Sequence, residues 1–277
     1  MKRTIIIIAT LLTCLGAAAQ NFYSSEYSFY IGGGVSGFRT NPTEGKAFQG
    51  GTVTAGIGYH YFFNPQWGIG TGANFAFYND GISINDYHKQ QAAINKETGS
   101  PFDFHVSMFG YKEKHRAVMV AIPLMLQYQS EGETAFYAAM GGKVGIPLSA
   151  KNSPEGVFTT SGYFPNVNVT YENLPEYGFV HNQPFPGDKT NLKLKTAFLA
   201  TAEFGVKWLT AEKINVYTGV YADYGLNSTL KSDGVNLVTY QTDAPAIFAY
   251  NSAAKAYAKQ MKPFAIGIIV RIAVGKQ

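Results

Sequence analysis

Lys143, Glu203, Lys207, Asp223 and Arg271 are ionic residues set into segments that are otherwise apolar, small or polar. Two chemistries suit such a set. Lysine and arginine interleaved with carboxylates can form a polar gate or ion path, or they can pair and neutralise one another in a tight interior. The five histidines are scattered, and none stands at a metal-ligand spacing with an acidic partner. His105 and Ser107 share a parity in FDFHVSMF, which offers a base and a nucleophile. A pair at i, i+2 is also what any alternating hairpin strand supplies. The glycine runs GGG (32–34) and GIGTG (68–72) precede no helical pattern, so they are wall glycines rather than phosphate loops. No catalytic residue, metal ligand or cofactor is expected.

The elements that must position these residues are strands. ATAEFGVKW at 200–208 alternates strictly, with Ala200, Ala202, Phe204, Val206 and Trp208 on one parity and Thr201, Glu203, Gly205 and Lys207 on the other. The same alternation places strands at 26–37, 49–62, 67–78, 117–129, 134–148, 194–209, 213–227 and 262–275. Short connections at 63–66, 130–133 and 210–212 alternate with long ones at 79–116, 149–193 and 228–261. Within the long ones, 83–100 and 251–261 have helix-forming composition. A soluble sandwich gives no reason for that segregation, whereas an outer-membrane barrel has short periplasmic turns and long extracellular loops.

One parity of every strand is apolar: Phe29, Ile31, Val53, Ile57, Phe75, Ile122, Leu124, Phe204, Val216 and Ile268 among others. The opposite parity is glycine, Ser, Thr, Asn and His60, together with the five ionic residues above. A soluble barrel would bury the first set, and a membrane barrel turns it to lipid. Trp67 and Trp208 fall at the short-turn ends with Tyr61 and Tyr128, as an aromatic girdle would. Aromatics at 15%, 30 glycines and only 14% charged residues are a barrel composition, and no later run is long enough for a membrane helix. The net charge of +4 is scattered, which argues against nucleic acid. Residues 1–19 read as a signal peptide, MKRTIIIIATLLTCLGAAA, with Ala17 and Ala19 at the cleavage site. Cys14, the only cysteine, belongs to that leader; Thr13 ahead of it does not suit a lipidation signal. The fold class is therefore all-β: an eight-stranded antiparallel up-and-down transmembrane β-barrel over 20–277 with long extracellular loops, in the outer membrane.

AVMVAIPLMLQYQ resembles the fourth-strand signature of an outer-membrane β-barrel family common in Bacteroidetes, carried here by Ile122, Pro123, Leu124, Leu126 and Tyr128. INVYTGVYADYGLNS is similar to its seventh strand, through Tyr221, Gly225 and Leu226. The resemblance implies an OmpA/OmpX-like eight-stranded barrel and places Pro123 at a bulge. It transfers no active site. The last strand, ending RIAVGKQ, departs from outer-membrane practice in lacking a terminal aromatic. Three functions stay open: a non-enzymatic monomeric barrel in outer-membrane lipid whose loops bind an extracellular ligand or envelope protein; a narrow conduit for small or hydrophobic solutes; and an outer-leaflet lipid or peptide hydrolase using His105 and Ser107.

Overall fold

The computed structural model describes residues 24–276 except 188, 212, 231–233 and 243–246; the expected leader at 1–19 lies outside the described residues. Eight long strands form the wall: β1 (Ser24–Pro42), β2 (Lys46–Phe62), β3 (Trp67–Ile94), β4 (Pro101–Gln129), β5 (Thr134–Phe164), β6 (Ala197–Ala211), β7 (Ile214–Gly225) and β8 (Ala258–Lys276). Each pairs antiparallel with its sequence neighbours, and β1 pairs β8 from Ser25 opposite Lys276 to Pro42 opposite Ala258, so the ring has no free edge at its base. Closure gives every wall strand a hydrogen-bonded neighbour on both sides, as a hydrocarbon environment requires. Among the described residues no helix is long and apolar enough to cross a membrane.

Alternation sorts the side chains. Phe29, Ile57, Phe75, Leu124, Met140, Phe204, Val220 and Ile268 point out of the barrel and are exposed over a continuous band. The inward set is small where it faces large neighbours. A Cβ at Gly70 would lie 2.4 Å from the His60 ring, and one at Gly56 would lie 2.7 Å from the Tyr30 ring carbon. Glycine at these two positions makes room for lumen side chains, because eight strands enclose only a filled interior. Ile268 lies mid-strand on the outer face, opposite Gly33 on β1 and Val220 on β7. Ile268→Arg should therefore destabilise the folded barrel by about 2–4 kcal/mol in micelles, measured by urea titration. A neutral result would mean the two faces have been assigned the wrong way round.

The long connections depart from expectation. Residues 79–94 and 101–116 are not a loop but the upper halves of β3 and β4, joined by a short turn at 95–100, and β5 runs on to Phe164. The helix-forming composition of 83–100 is overridden because Tyr87 and Ala93 pair with Met108 and Phe102 on a buried face. Cross-strand packing then outweighs local propensity. The expected helical stretch at 251–261 shortens to one five-residue helix, α1 (Ala253–Tyr257), before β8 begins. Pro123 is not at a bulge: the β4–β5 register shifts at Val118/Met119, while Pro123 stays in register with Lys143. Its missing N–H is absorbed on the other side, where β3–β4 pairing lapses between Thr71 and Asn74. Thr71 Oγ1 donates to the Pro123 carbonyl at 2.9 Å, closing the gap.

Above the apolar band β3, β4 and β5 continue as a tall three-stranded sheet. Its inner face carries Phe102, Phe104, Val106 and Phe158, all buried, and the described residues 234–242 and 247–257 fold in against it, with Leu237, Val238 and Tyr240 buried there. The outer mouth of the barrel is thus packed with protein.

Candidate functional site in the lumen and outer hairpins

The lower lumen is built around Glu26, the first inward carboxylate of β1 and a residue that the strand pattern alone did not single out. Glu26 Oε2 accepts from Tyr217 Oη at 2.7 Å and Oε1 accepts from Asn215 Nδ2 at 2.7 Å. Lys207 Nζ lies 3.6 Å from the same carboxylate and donates to Gln129 Oε1 at 3.3 Å. Arg271 sits one layer up, 2.9 Å from His60 Nε2, and donates to Gln127 Oε1 at 2.8 Å. Its guanidinium stacks on Tyr217 at 4.1 Å from the ring centre and on Tyr137 at 5.2 Å. Lys143 and Asp223 meet higher still, with Nζ 2.8 Å from Oδ1 and 3.2 Å from Oδ2. Glu203 faces a void of about 20 Å³ that Lys143, Arg271 and His60 also line. That holds roughly one water. The five ionic residues are brought into one column, with Glu26, His60, Gln127, Gln129, Tyr137 and Tyr217 completing it.

At the short-turn end Trp67 packs edge-on against Tyr128 with centroids 5.0 Å apart. Trp208 Nε1 donates to Thr218 Oγ1 at 2.9 Å, and Tyr61 pairs in register with Ile69. All four lie within four residues of their strands' ends on this side.

A second charged cluster closes the mouth. His115 on β4 donates from Nδ1 to Asp80 Oδ1 at 3.1 Å and from Nε2 to Glu113 Oε1 at 2.7 Å, and all three side chains are fully buried. Glu113 also accepts from Tyr111 Oη at 2.8 Å, Ser252 Oγ at 2.6 Å and the Ala253 amide at 2.9 Å. It therefore ties the start of α1 to the wall. Tyr257 at the other end of α1 donates to Tyr87 Oη at 2.9 Å. This cluster is above the apolar band, since Lys112, Lys114 and Arg116 alternate with it on the exposed outer face. Burial works against the imidazolium, but hydrogen bonds and Coulomb attraction from Asp80 and Glu113 outweigh it and raise His115 to about 10. Burial likewise opposes the Glu113 carboxylate, and bonds from His115 and Ser252 overcome it, lowering Glu113 to about 2.

The outer face of the tall sheet is polar. Three rows cross it in register: His88, Ser107 and Thr159; Gln90, His105 and Ser161; Ala92, Asp103 and Tyr163. The segment with Thr170, Glu172 and His181 walls one side, enclosing a groove of about 900 Å³. His105 and Ser107 stand two residues apart on one strand in different rows, and no hydrogen bond joins them among the described residues. That is not a nucleophile held by its base. Among the described residues no group of histidines and carboxylates has metal-holding geometry.

Comparison with known proteins matches residues 18–231 to a family model described as an outer membrane protein beta-barrel domain. Among curated proteins none matches the sequence. Solved structures similar in arrangement include Neisserial surface protein A, at 8% identity and TM-score 0.37, covering 92% of this chain and 99% of that one. OprG from Pseudomonas aeruginosa is similar at 13% identity and TM-score 0.33, covering 90% and 94%. Ail, the attachment invasion locus protein of Yersinia pestis, is similar at 11% identity and TM-score 0.29, covering 91% and 99%. These are distant likenesses and carry no functional weight.

Proposed function

Since the chain belongs to the family of outer membrane protein β-barrel domains, we propose that it is a non-enzymatic surface barrel whose closed lumen serves as a rigid post for an outer binding face. One contrast supports this reading: the lumen void at Glu203 measures about 20 Å³, while the outer face of the hairpins has a polar groove of about 900 Å³. A groove of that size is in the range that holds a small ligand, and a one-water void passes nothing. The hydroxyl, amide and imidazole groups of Ser107, Thr159, Ser161, Gln90, His88 and His105 suit a polar extracellular ligand. The barrel acts as a monomer embedded in outer-membrane lipid, of the Bacteroidetes type that the Ile122–Pro123–Leu124 and Tyr221–Gly225–Leu226 motifs resemble.

The conduit reading draws on one feature, the break in β2–β3 pairing between Gln49 and Val53 beside Phe77. None of the residues at this break lines the lumen void.

On intact cells an epitope at Gly187 should bind antibody and one at Gly132 should not. Ser161→Trp, which fills the groove, should remove adherence of the cells to polysaccharide-coated surfaces while the barrel still inserts. Staining at Gly132 alone would invert the topology, and adherence indifferent to Ser161→Trp would take the groove out of the function.

A further inference from the structure

Outside the apolar band the first outward-facing charge on four wall strands is basic in every case. On β1, Val35 and Gly37 are followed by Arg39; on β4, Val120 and Val118 are followed by Arg116, Lys114 and Lys112. On β5, Ile146 and Leu148 give way to Lys151, and on β8, Ile266 and Phe264 give way to Lys262. The register then creates a conflict. Arg39 lies directly opposite Lys262, and Arg116 lies directly opposite Lys151. Like charges facing each other across an antiparallel pair are destabilising, with Cβ atoms about 5 Å apart. Neighbouring carboxylates do not relieve it: among the described residues the ion pairs near this level are Lys114 with Glu155 and Lys89 with Glu44, and none includes the four facing residues. Arg39 leans instead on Tyr224, hydrogen-bonded to its hydroxyl with the guanidinium 4.9 Å from the ring centre.

We propose that these two facing pairs are binding sites for the phosphorylated headgroups of outer-leaflet glycolipid. Their height carries the assignment. Each pair stands one or two alternation steps beyond residues that face hydrocarbon, such as Val35, Phe264, Val118 and Leu148, which is where the headgroups of the surrounding leaflet lie. A phosphate placed between Arg116 and Lys151, or between Arg39 and Lys262, turns a repulsion into two charge-assisted hydrogen bonds. Tyr224 adds a flat ring beside the second pair, against which a sugar face can rest. Solvated surface lysines would need no such pairing.

The test uses the full-length barrel in nanodiscs, with phosphorylated lipid A, its dephosphorylated form, phosphatidylglycerol and inorganic phosphate as probes, and native mass spectrometry to count bound molecules. Phosphorylated lipid A should be retained over the other three. Changing Arg39, Arg116, Lys151 and Lys262 to Gln should weaken that retention by roughly fivefold per residue removed. A sign reversal provides a second readout that does not need the quadruple variant to fold. In zwitterionic lipid alone Lys151→Gln should raise the melting temperature by relieving repulsion from Arg116, and with phosphorylated lipid A present it should lower it. Equal retention of phosphatidylglycerol or inorganic phosphate, undiminished lipid A binding in the quadruple variant, or the same sign of Lys151→Gln in both lipids would overturn the proposal.

Discussion

Glu113→Ala should release α1 and the residues before it, 247–257, from the barrel mouth, at a cost of about 3–5 kcal/mol. The side chain is wholly buried and accepts from His115, Tyr111, Ser252 and the Ala253 amide. Removing it leaves an imidazolium with only Asp80 for compensation and strips the Ser252 hydroxyl and Ala253 amide of their acceptor, and breaking one member of a buried ion pair is costly for that reason. Hydrogen exchange and limited proteolysis should show 247–257 opening while the β1–β8 wall stays protected. The same cluster gives the mouth a pH window. His115 is raised from 6.5 to about 10, so its contribution is complete below pH 6.5 and lost as pH rises through 10. Glu113 is lowered from 4.5 to about 2, so its contribution is complete above pH 4.5 and lost as pH falls through 2. Protection of 247–257 should therefore be greatest between pH 4.5 and 6.5 and should fall on either side. Protection that stays flat from pH 5 to 10 would show that the His115 ion pairs do not hold the segment down.

Lys143→Ala and Asp223→Ala should each destabilise the barrel by about 3–5 kcal/mol, and the double variant by far less than their sum. Both side chains are more than nine-tenths buried in the lumen and pair at 2.8 Å. Each single change strands the other charge, whereas removing both strands neither. A Lys143→Met, Asp223→Leu double variant should recover most of the loss, because well-packed apolar groups replace a buried pair at little or no cost. Urea titration in micelles gives the four corners of the cycle. Additive single costs would mean that water already reaches these charges, and the lumen would then be a hydrated channel rather than a filled column.

Strand parity carried most of this architecture in the sequence. Phe204 and Trp208 against Glu203 and Lys207 already divide the wall into its two faces, because a closed barrel converts period-2 alternation directly into inside and outside. Arg271, Lys143 and Asp223 were legible as inward ionic residues for the same reason. Their partners were not. Which carboxylate meets Lys207 depends on stacking between strands distant in sequence, and Glu26 stands at the very start of β1, where a strand boundary is hard to place. The mouth cluster was hidden by a different effect. Asp80, Glu113 and His115 fell inside a segment read as loop, since the aromatic and charged alternation of 101–116 looks like a variable connection unless its pairing with 79–94 is known. The basic rim was legible residue by residue, but the facing of Arg116 and Lys151 exists only in the register.

Single-channel recording of the purified barrel in a planar bilayer distinguishes a lumen closed by its own side chains from a conduit. Midway along the lumen Tyr30, His60, Lys143, Glu203 and Arg271 close round a void with space for about one water. No discrete openings are expected from neutral pH down to pH 5, in wild type and in Ser161→Trp alike. Stable, ion-selective conductance steps that Lys143→Ala or Asp223→Ala alters would contradict a closed lumen and make the chain a conduit.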